Sequence, residues 1–500
     1  MNAGQRPARV MSAGRQARLV CIASRIPARK VPDHKGNTMA INAAQASNDL
    51  RLNGGRGDSG LDARPAAPRK VGKSELNRVV LASVVGSFVE WFEFSVYGYL
   101  ASVLGKVFFP ASAPGTQLIA SLAAFAIAFF ARPFGGIIFG PIGDRLGRKQ
   151  VLTVTILMMA VATFAIGLIP SHDAIGMAAP VLLVLLRLLQ GISAGGEGSG
   201  AAIYVAEYCS DKRRTAITSW IEVGCISGFA FGATITTVLT AFFSAEQIYA
   251  WAWRVPFLLA LPLGGIGLYI RKRLEESPAF EAVSQNKKAH ANAGWNYLFS
   301  QCMRLVLISC GIIIVTNVTL YTVTTYIPTY LISTLTIDAK SGFLMSLGPQ
   351  LFLIAMIPVM GALADRVTRK RMMLVGSFGV LVLAIPCFNM LVSGDTAIKV
   401  VALLILNLCL ASLLGCIYSI IPALFPTQVR FTGMAVSYNV AVALFAGTAP
   451  MLNAWLIQQT GNKMMPAYYL MFGAVLGIVA LVCSRDNTGH PMPGDEPRPE

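Results

Sequence analysis

The sequence predicts an all-α membrane protein of 12 transmembrane helices arranged as two six-helix pseudo-repeats. Three observations carry this reading. Hydrophobic residues fill 55% of the 500 positions and charged residues only 13%. Apolar runs of about twenty residues recur along the chain. A Gly-x-x-x-Asp-Arg loop appears in both halves. A mean hydropathy of +0.60 excludes an ordinary soluble domain, since so much apolar surface needs lipid to face.

Each run is long enough to cross a hydrocarbon core of about 30 Å at 1.5 Å per residue. The expected spans are 78–104, 117–140, 150–170, 177–205, 215–243, 252–271, 305–333, 342–364, 372–392, 398–425, 433–457 and 466–484. A polar stretch between Arg271 and Arg304 divides them into two sets of six. The expected organisation is therefore a disordered cytoplasmic extension over 1–75, a six-helix bundle over 76–271, a cytoplasmic linker over 272–304, a second bundle over 305–484 and a cytoplasmic tail over 485–500. The extension is rich in Gly, Ala and Arg without an apolar face. Its spaced arginines, Arg6 to Arg29, resemble a transit peptide, but a start assigned too far upstream, with Met39 as initiator, accounts for it more simply.

The loops orient the chain. Arg145, Arg148 and Lys149, then Lys212, Arg213 and Arg214, Arg271 to Arg273, and Arg366, Arg369, Lys370 and Arg371 all fall on one side. The other side holds only Lys106, Lys340, Lys399 and Lys463. The basic side faces the cytoplasm, so both termini are placed there, in a multi-pass protein of a bacterial inner membrane. The same distribution explains the net charge of +17 without nucleic acid as a partner. Nine scattered cysteines form no close pairs and read as small apolar filling. No metal, cofactor or catalytic constellation is expected: the spans carry no H-E-x-x-H, no clustered histidines and no nucleophile elbow, which argues against an enzyme. The expected partners are lipid, a small solute and a proton, with the chain as a monomer.

The repeat is specific. Gly140-Pro-Ile-Gly-Asp144-Arg145-Leu-Gly147-Arg148-Lys149 follows the second run, and Gly361-Ala-Leu-Ala-Asp365-Arg366-Val-Thr-Arg369-Lys370 follows the eighth. Repeated six-helix units rocking about a central site are a standard route to alternating access. Asp144, Arg145, Arg148, Asp365 and Arg366, with Arg187 and Glu207, are accordingly the expected gating residues.

Charges inside spans cost several kcal/mol when unpaired, so they point to mechanism. Glu90 and Glu93 lie in span one, Arg132 in span two, Arg187 and Glu197 in span four and Glu222 in span five, whereas the second half shows none well inside a span. The four histidines fall in tails or loops, which leaves carboxylates to carry a proton. Glu90 and Glu93 are three apart and expected to share a face with Tyr97; two such acids cannot both ionise cheaply, which suits proton coupling. Arg132 and Arg187 are available to neutralise them or to bind a substrate carboxylate. Glu197 and Glu222 read more readily as structural ion pairs. Span seven, with Asn317, Tyr321, Tyr326 and Tyr330, mixes amide, hydroxyl and aromatic groups as a cavity wall would, and Pro328 is expected to break or kink it. Tyr438 and Asn439 are weaker candidates.

These residues resemble the metabolite:proton symporter branch of the major facilitator superfamily. The resemblance runs from about Arg78 to Val482. It rests on Glu90-Trp91-Phe92-Glu93-Phe94 with Tyr97-Gly98, Arg132-Pro-Phe-Gly-Gly136, the two loops, Arg187-x-x-Gln190-Gly191, Ala206-Glu207-Tyr208 and Glu276-Ser-Pro-Ala-Phe280. Within the branch, Gly105-Lys-Val-Phe-Phe-Pro110, Thr316-Asn-Val-Thr-Leu-Tyr321 and Met464-Met-Pro-Ala-Tyr-Tyr-Leu-Met471 look most like proline/glycine-betaine proton symporters. The resemblance implies the major facilitator fold and uptake of a zwitterion. Arg132 would meet its carboxylate, with the aromatic set Trp91, Tyr97, Tyr321 and Tyr326 around its ammonium, and Asn317 is a further expected substrate contact. Glu90 and Glu93 would couple the proton. Dicarboxylate and 2-oxoacid carriers share most of these motifs and stay open as an alternative. Export fits less well, because span five lacks the Gly-Pro element of drug antiporters. The chain departs from the branch in having Glu93 where Asp is usual, Ala423 in place of an acid, and no long coiled-coil tail.

Overall fold

The computed structural model describes residues 73–110, 114–146, 148–195, 198–272, 298, 300–426 and 429–493. For residues 73, 114, 140–146, 148–152, 198, 199, 204, 270–272 and 431 it describes the backbone alone. Among the described residues all regular structure is helical. The long helices are α1 (Lys73–Tyr99), α2 (Pro114–Leu146), α3 (Arg148–Leu168), α4 (Ala178–Gly195 and Gly198–Tyr208), α5 (Arg214–Phe242) and α6 (Arg254–Leu258 and Ala260–Lys272). The second set is α7 (Met303–Leu320, continuing to Thr334), α8 (Ala339–Val367), α9 (Arg369–Ser393), α10 (Thr396–Ile420), α11 (Arg430–Ala441 and Ala449–Thr460) and α12 (Met465–Cys483). Among the described residues eleven stretches are long and apolar enough to cross a membrane, and α3 contributes the shorter apolar stretch Thr153–Leu168. Of the expected extension and linker, residues 1–72 and most of 273–299 lie outside the described residues.

Local chemistry sets the helix ends. Asp338, Thr368 and Asp395 accept hydrogen bonds from the backbone N–H groups of Ser341, Arg371 and Ile398, capping α8, α9 and α10. Gly461 ends α11 in the left-handed region at φ 67°, which costs a side-chain-bearing residue more. Pro328 does not break α7 as expected. Wide turns over Tyr321–Tyr326 and Tyr330–Thr334 flank it, and the helix runs on past the missing N–H to Thr334.

The halves pair in a matching way. In the first half α1 packs along α5 and α2 along α4; between halves α5 lies against α8 and α10, and α2 against α11. Exchanging the repeats turns the α5–α8 contact into the α11–α2 contact. The α2–α4 approach is close because a Cβ at Gly191 or Gly195 would land on the carbonyl oxygens of Ala128 or Arg132. That proximity lets a side chain on α4 reach the backbone of α2. The repeated basic segments are mostly helix rather than loop: α2 runs through Leu146, and Asp365 and Arg366 lie in the last turn of α8, since a helix end at the interface keeps its polar groups in water.

Candidate functional site

Glu90 and Glu93 are both buried on α1, but three residues turn the helix about 300°, so they diverge by about 60° and face different helices. Glu90 faces α2, with Oε1 3.7 Å from Arg132 Nη2. The Nε of Arg132 donates to Oδ1 of Asn439 on α11 at 3.4 Å, a link between the halves. Its guanidinium lies 5.9, 5.8 and 5.9 Å from the ring centroids of Phe94, Phe129 and Tyr438. Tyr321 stacks into the same group, with centroids 5.9 Å from Trp91 and 5.2 Å from Phe129. Nη1 of Arg132 and the Tyr321 hydroxyl are buried and make no hydrogen bond among the described residues.

Glu93 belongs to a second chain of contacts. Thr163 of α3 donates to Oε2 of Glu93 at 2.5 Å, Gln190 donates to Thr163 at 2.5 Å, and Arg187 donates to Gln190 at 2.9 Å. Arg187 also donates to the carbonyls of Ala124 and Phe125 on α2, and sits 4.1 Å from the Tyr97 ring centroid. Tyr97, seven residues on and so about 20° from Glu90 around the helix, also faces α2: it donates to the Ser121 carbonyl at 3.1 Å and covers Arg187. Arg187, expected in the gate, lies nine residues into α4, about 13 Å from the end away from the basic loops, held by α2 through the glycine contact.

The second half brings neutral groups to this centre. Asn317 accepts from the Tyr438 hydroxyl at 3.4 Å. Tyr418 of α10 lies near Tyr438 and near Glu222 of α5, all three buried. Tyr326 stands apart, stacked on Tyr330 at 6.1 Å. Glu222 is no structural ion pair: it is 3% exposed, and no basic side chain lies within ion-pair distance of it among the described residues. Thr163 and Tyr418 escaped the sequence reading. Their only signal is a lone hydroxyl in an apolar run, which most membrane helices also show.

At the end bearing the basic loops the halves are tied together. Asp365 accepts from the backbone N–H groups of Thr215 and Ala216 at 3.1 and 2.9 Å, filling orphan donors at the N-terminus of α5. Arg369 donates to Thr215 at 2.8 Å, and Arg430 of α11 pairs with Glu207 of α4 at 3.2 Å. Arg366, expected in the gate, is exposed; Arg369, one turn on, is the buried one. The side chains of Asp144, Arg145 and Arg148, and all of Glu197 and 276–280, lie outside the described residues. The segment Ser484–Pro493 crosses this end as a strap. Arg214 and Arg430 donate to the carbonyls of His490 and Pro493, Arg369 N–H donates to Thr488, and Met492 is buried between Ala206 and Ala423. Within the strap, burial works to raise Asp486, but hydrogen bonds from Thr488 and Thr368 and the charge of Arg369 hold it below the ordinary carboxylate value. At the opposite end Gln350 of α8 donates to the Tyr99 hydroxyl of α1 at 2.8 Å.

Asp365→Asn removes the charge and one acceptor at the α5 terminus. It should shift the closed arrangement of the basic end toward opening by about 1–2 kcal/mol, roughly 5- to 30-fold. Faster alkylation of a cysteine placed at Ser219, which packs against Gly361, would register it.

Two matching six-helix halves, tied at both ends around buried carboxylates, guanidiniums and aromatic rings, define a multi-pass membrane carrier. The sequence matches the Major Facilitator Superfamily over residues 79–440 and 339–500. It is 41% identical over 430 residues to the glycine betaine/proline/ectoine/pipecolic acid transporter OusA of Dickeya dadantii, covering 84% of this chain and 86% of that one. It is also 41% identical over 431 residues to the proline/betaine transporter of Escherichia coli K12, covering 85% and 86%. Among solved structures it is similar to the proton:xylose symporter XylE, with a TM-score of 0.68 at 15% identity over 84% of this chain and 98% of the other. The chain belongs to the Major Facilitator Superfamily.

Proposed function

We propose that this chain is a proton-coupled symporter that imports a small zwitterion of the proline or glycine betaine kind by alternating access. The observation that carries the reading is the pair of unmet buried groups, Arg132 Nη1 and the Tyr321 hydroxyl, set between the halves and beside the rings of Trp91 and Phe129. A guanidinium binds a carboxylate with charge-assisted hydrogen bonds, and aromatic faces attract an ammonium. The names of the relatives support the same substrate class. A dicarboxylate fits worse, because Arg187 already serves the α2 carbonyls and Gln190, which leaves Arg132, of the two guanidiniums at this centre, with an unmet donor among the described residues. Glu90 and Glu93 supply the carboxyl chemistry for the proton. The basic end faces the cytoplasm of a bacterial inner membrane, with both termini and the 272–304 linker on that side, and the monomer is the working unit.

Uptake of labelled proline and of labelled glycine betaine into proteoliposomes, competed by a panel of organic acids, tests this. Zwitterions should compete and drive proton entry. Competition by 2-oxoacids or dicarboxylates alone would replace the substrate class.

A further inference from the structure

The buried centre holds more acid than base. Among the described residues, three buried carboxyls, Glu90, Glu93 and Glu222, gather near two buried guanidiniums, Arg132 and Arg187, and these five groups sum to zero charge when one carboxyl carries a proton. The three acids are not equivalent. Glu90 has the Arg132 guanidinium at 3.7 Å. Glu93 is wired through Thr163 and Gln190 to Arg187. Glu222 is buried with no basic side chain within ion-pair distance among the described residues; the Cys225 thiol of its own helix and the Tyr418 phenol across the interface lie near it. From the other packed helices the ionisable groups facing this spot are Glu90 of α1, Arg132 of α2 and Tyr438 of α11; the nearest acid of α8, Asp365, is turned to the α5 terminus. The nearest basic residue along α5, Arg214, is about two turns away and paired with Asp211 at 2.5 Å.

We propose that Glu222 holds the transported proton while the basic end is closed, and that its release there loosens α5 from α10. This rests on the symport reading above and names the residue at the exit of its proton path. One set of polar groups runs from Arg187 through Gln190 and Thr163 to Glu93, and a second runs from Glu90 through Arg132 and Tyr438 toward Tyr418 and Glu222. Glu222 lies eight residues from the start of α5, about 12 Å from the basic end. When water reaches it, the O–H bond breaks, the proton passes to water and a carboxylate remains. An unpaired carboxylate in the sealed α5–α10 contact is costly, so the contact cannot reseal until Glu222 is protonated again from the Glu90 side or meets a counter-charge. Coupling follows from that order of events.

The test uses the full-length protein in liposomes, as native, Glu222→Gln and Glu222→Asp forms. Infrared difference spectra should show a protonated-carboxyl band that moves on deuteration and is missing in Glu222→Gln. Accumulation of labelled proline or betaine should fall in Glu222→Gln from many-fold to the external level, its rate losing dependence on external pH, with Glu222→Asp restoring both. A Glu222→Gln protein that keeps the band and accumulates as the native does overturns the proposal. Should Glu222→Gln not fold, Tyr418→Phe decides instead: a shifted carboxyl band supports the assignment and an unchanged one overturns it. A native protein that shows the band but moves no proton with substrate would remove the symport reading and leave the protonated Glu222 standing.

Discussion

Arg132→Ala is expected to abolish uptake, and Arg132→Lys to raise the half-saturating substrate concentration by about ten- to a hundredfold in a protein that still folds. The two variants separate effects that one would confuse. Alanine takes the Arg132 cation away from Glu90, and breaking a buried pair in that way costs about 3–5 kcal/mol, so lost activity would include lost stability. Lysine keeps the charge beside Glu90 but gives up the planar fork, the Nε bond to Asn439 and the open Nη1. A hydrogen bond to a charged group is worth about 1.5–3 kcal/mol, which corresponds to that rise. Uptake kinetics beside a thermal-melting profile of each variant give the check. A lysine variant with native half-saturation would remove Arg132 from substrate contact.

Glu93→Gln should end accumulation while sparing expression. The amide is nearly isosteric and its oxygen can still accept from Thr163, so the links to Gln190 and Arg187 persist. What disappears is the group that can take a proton. Steady-state accumulation should drop to the external level, and the alkalinisation of the medium on adding substrate should vanish with it. A variant that still alkalinises the medium takes Glu93 out of the coupling path. Glu93 and Glu222 are predicted to fail alike in accumulation, but only Glu222→Gln removes the carboxyl band of the closed protein.

Fold class was readable because lipid imposes long apolar runs, and the repeated Gly-x-x-x-Asp-Arg segment showed that there were two copies of one unit. The site was legible only as composition. Glu90, Glu93, Arg132 and Arg187 announced themselves as charges in apolar runs, and all four are buried together in the first half. Their partners were not legible, because an i, i+3 spacing says that two residues are near and not which neighbouring helix each meets. Glu90 thus found α2 and Glu93 found α3. Arg187 was assigned to the gate by its motif, whereas the close approach of α4 to α2 at Gly191 holds it well inside. Glu222 was discounted as an ion pair because no linear pattern shows that its neighbour across the interface is a tyrosine.

The strap over Ser484–Pro493 gives the carrier a resting direction. For the halves to part at that end, the strap must leave one of them. Leaving the first half gives up the Arg214 bond to His490 and the cover of Met492 over Ala206. At about 1 kcal/mol for the bond and about 1.5–3 kcal/mol for the methionine, the tilt comes to roughly a hundredfold or more. An idle molecule therefore waits sealed at its basic end, and a short run of chain beyond the last helix sets how seldom it strays.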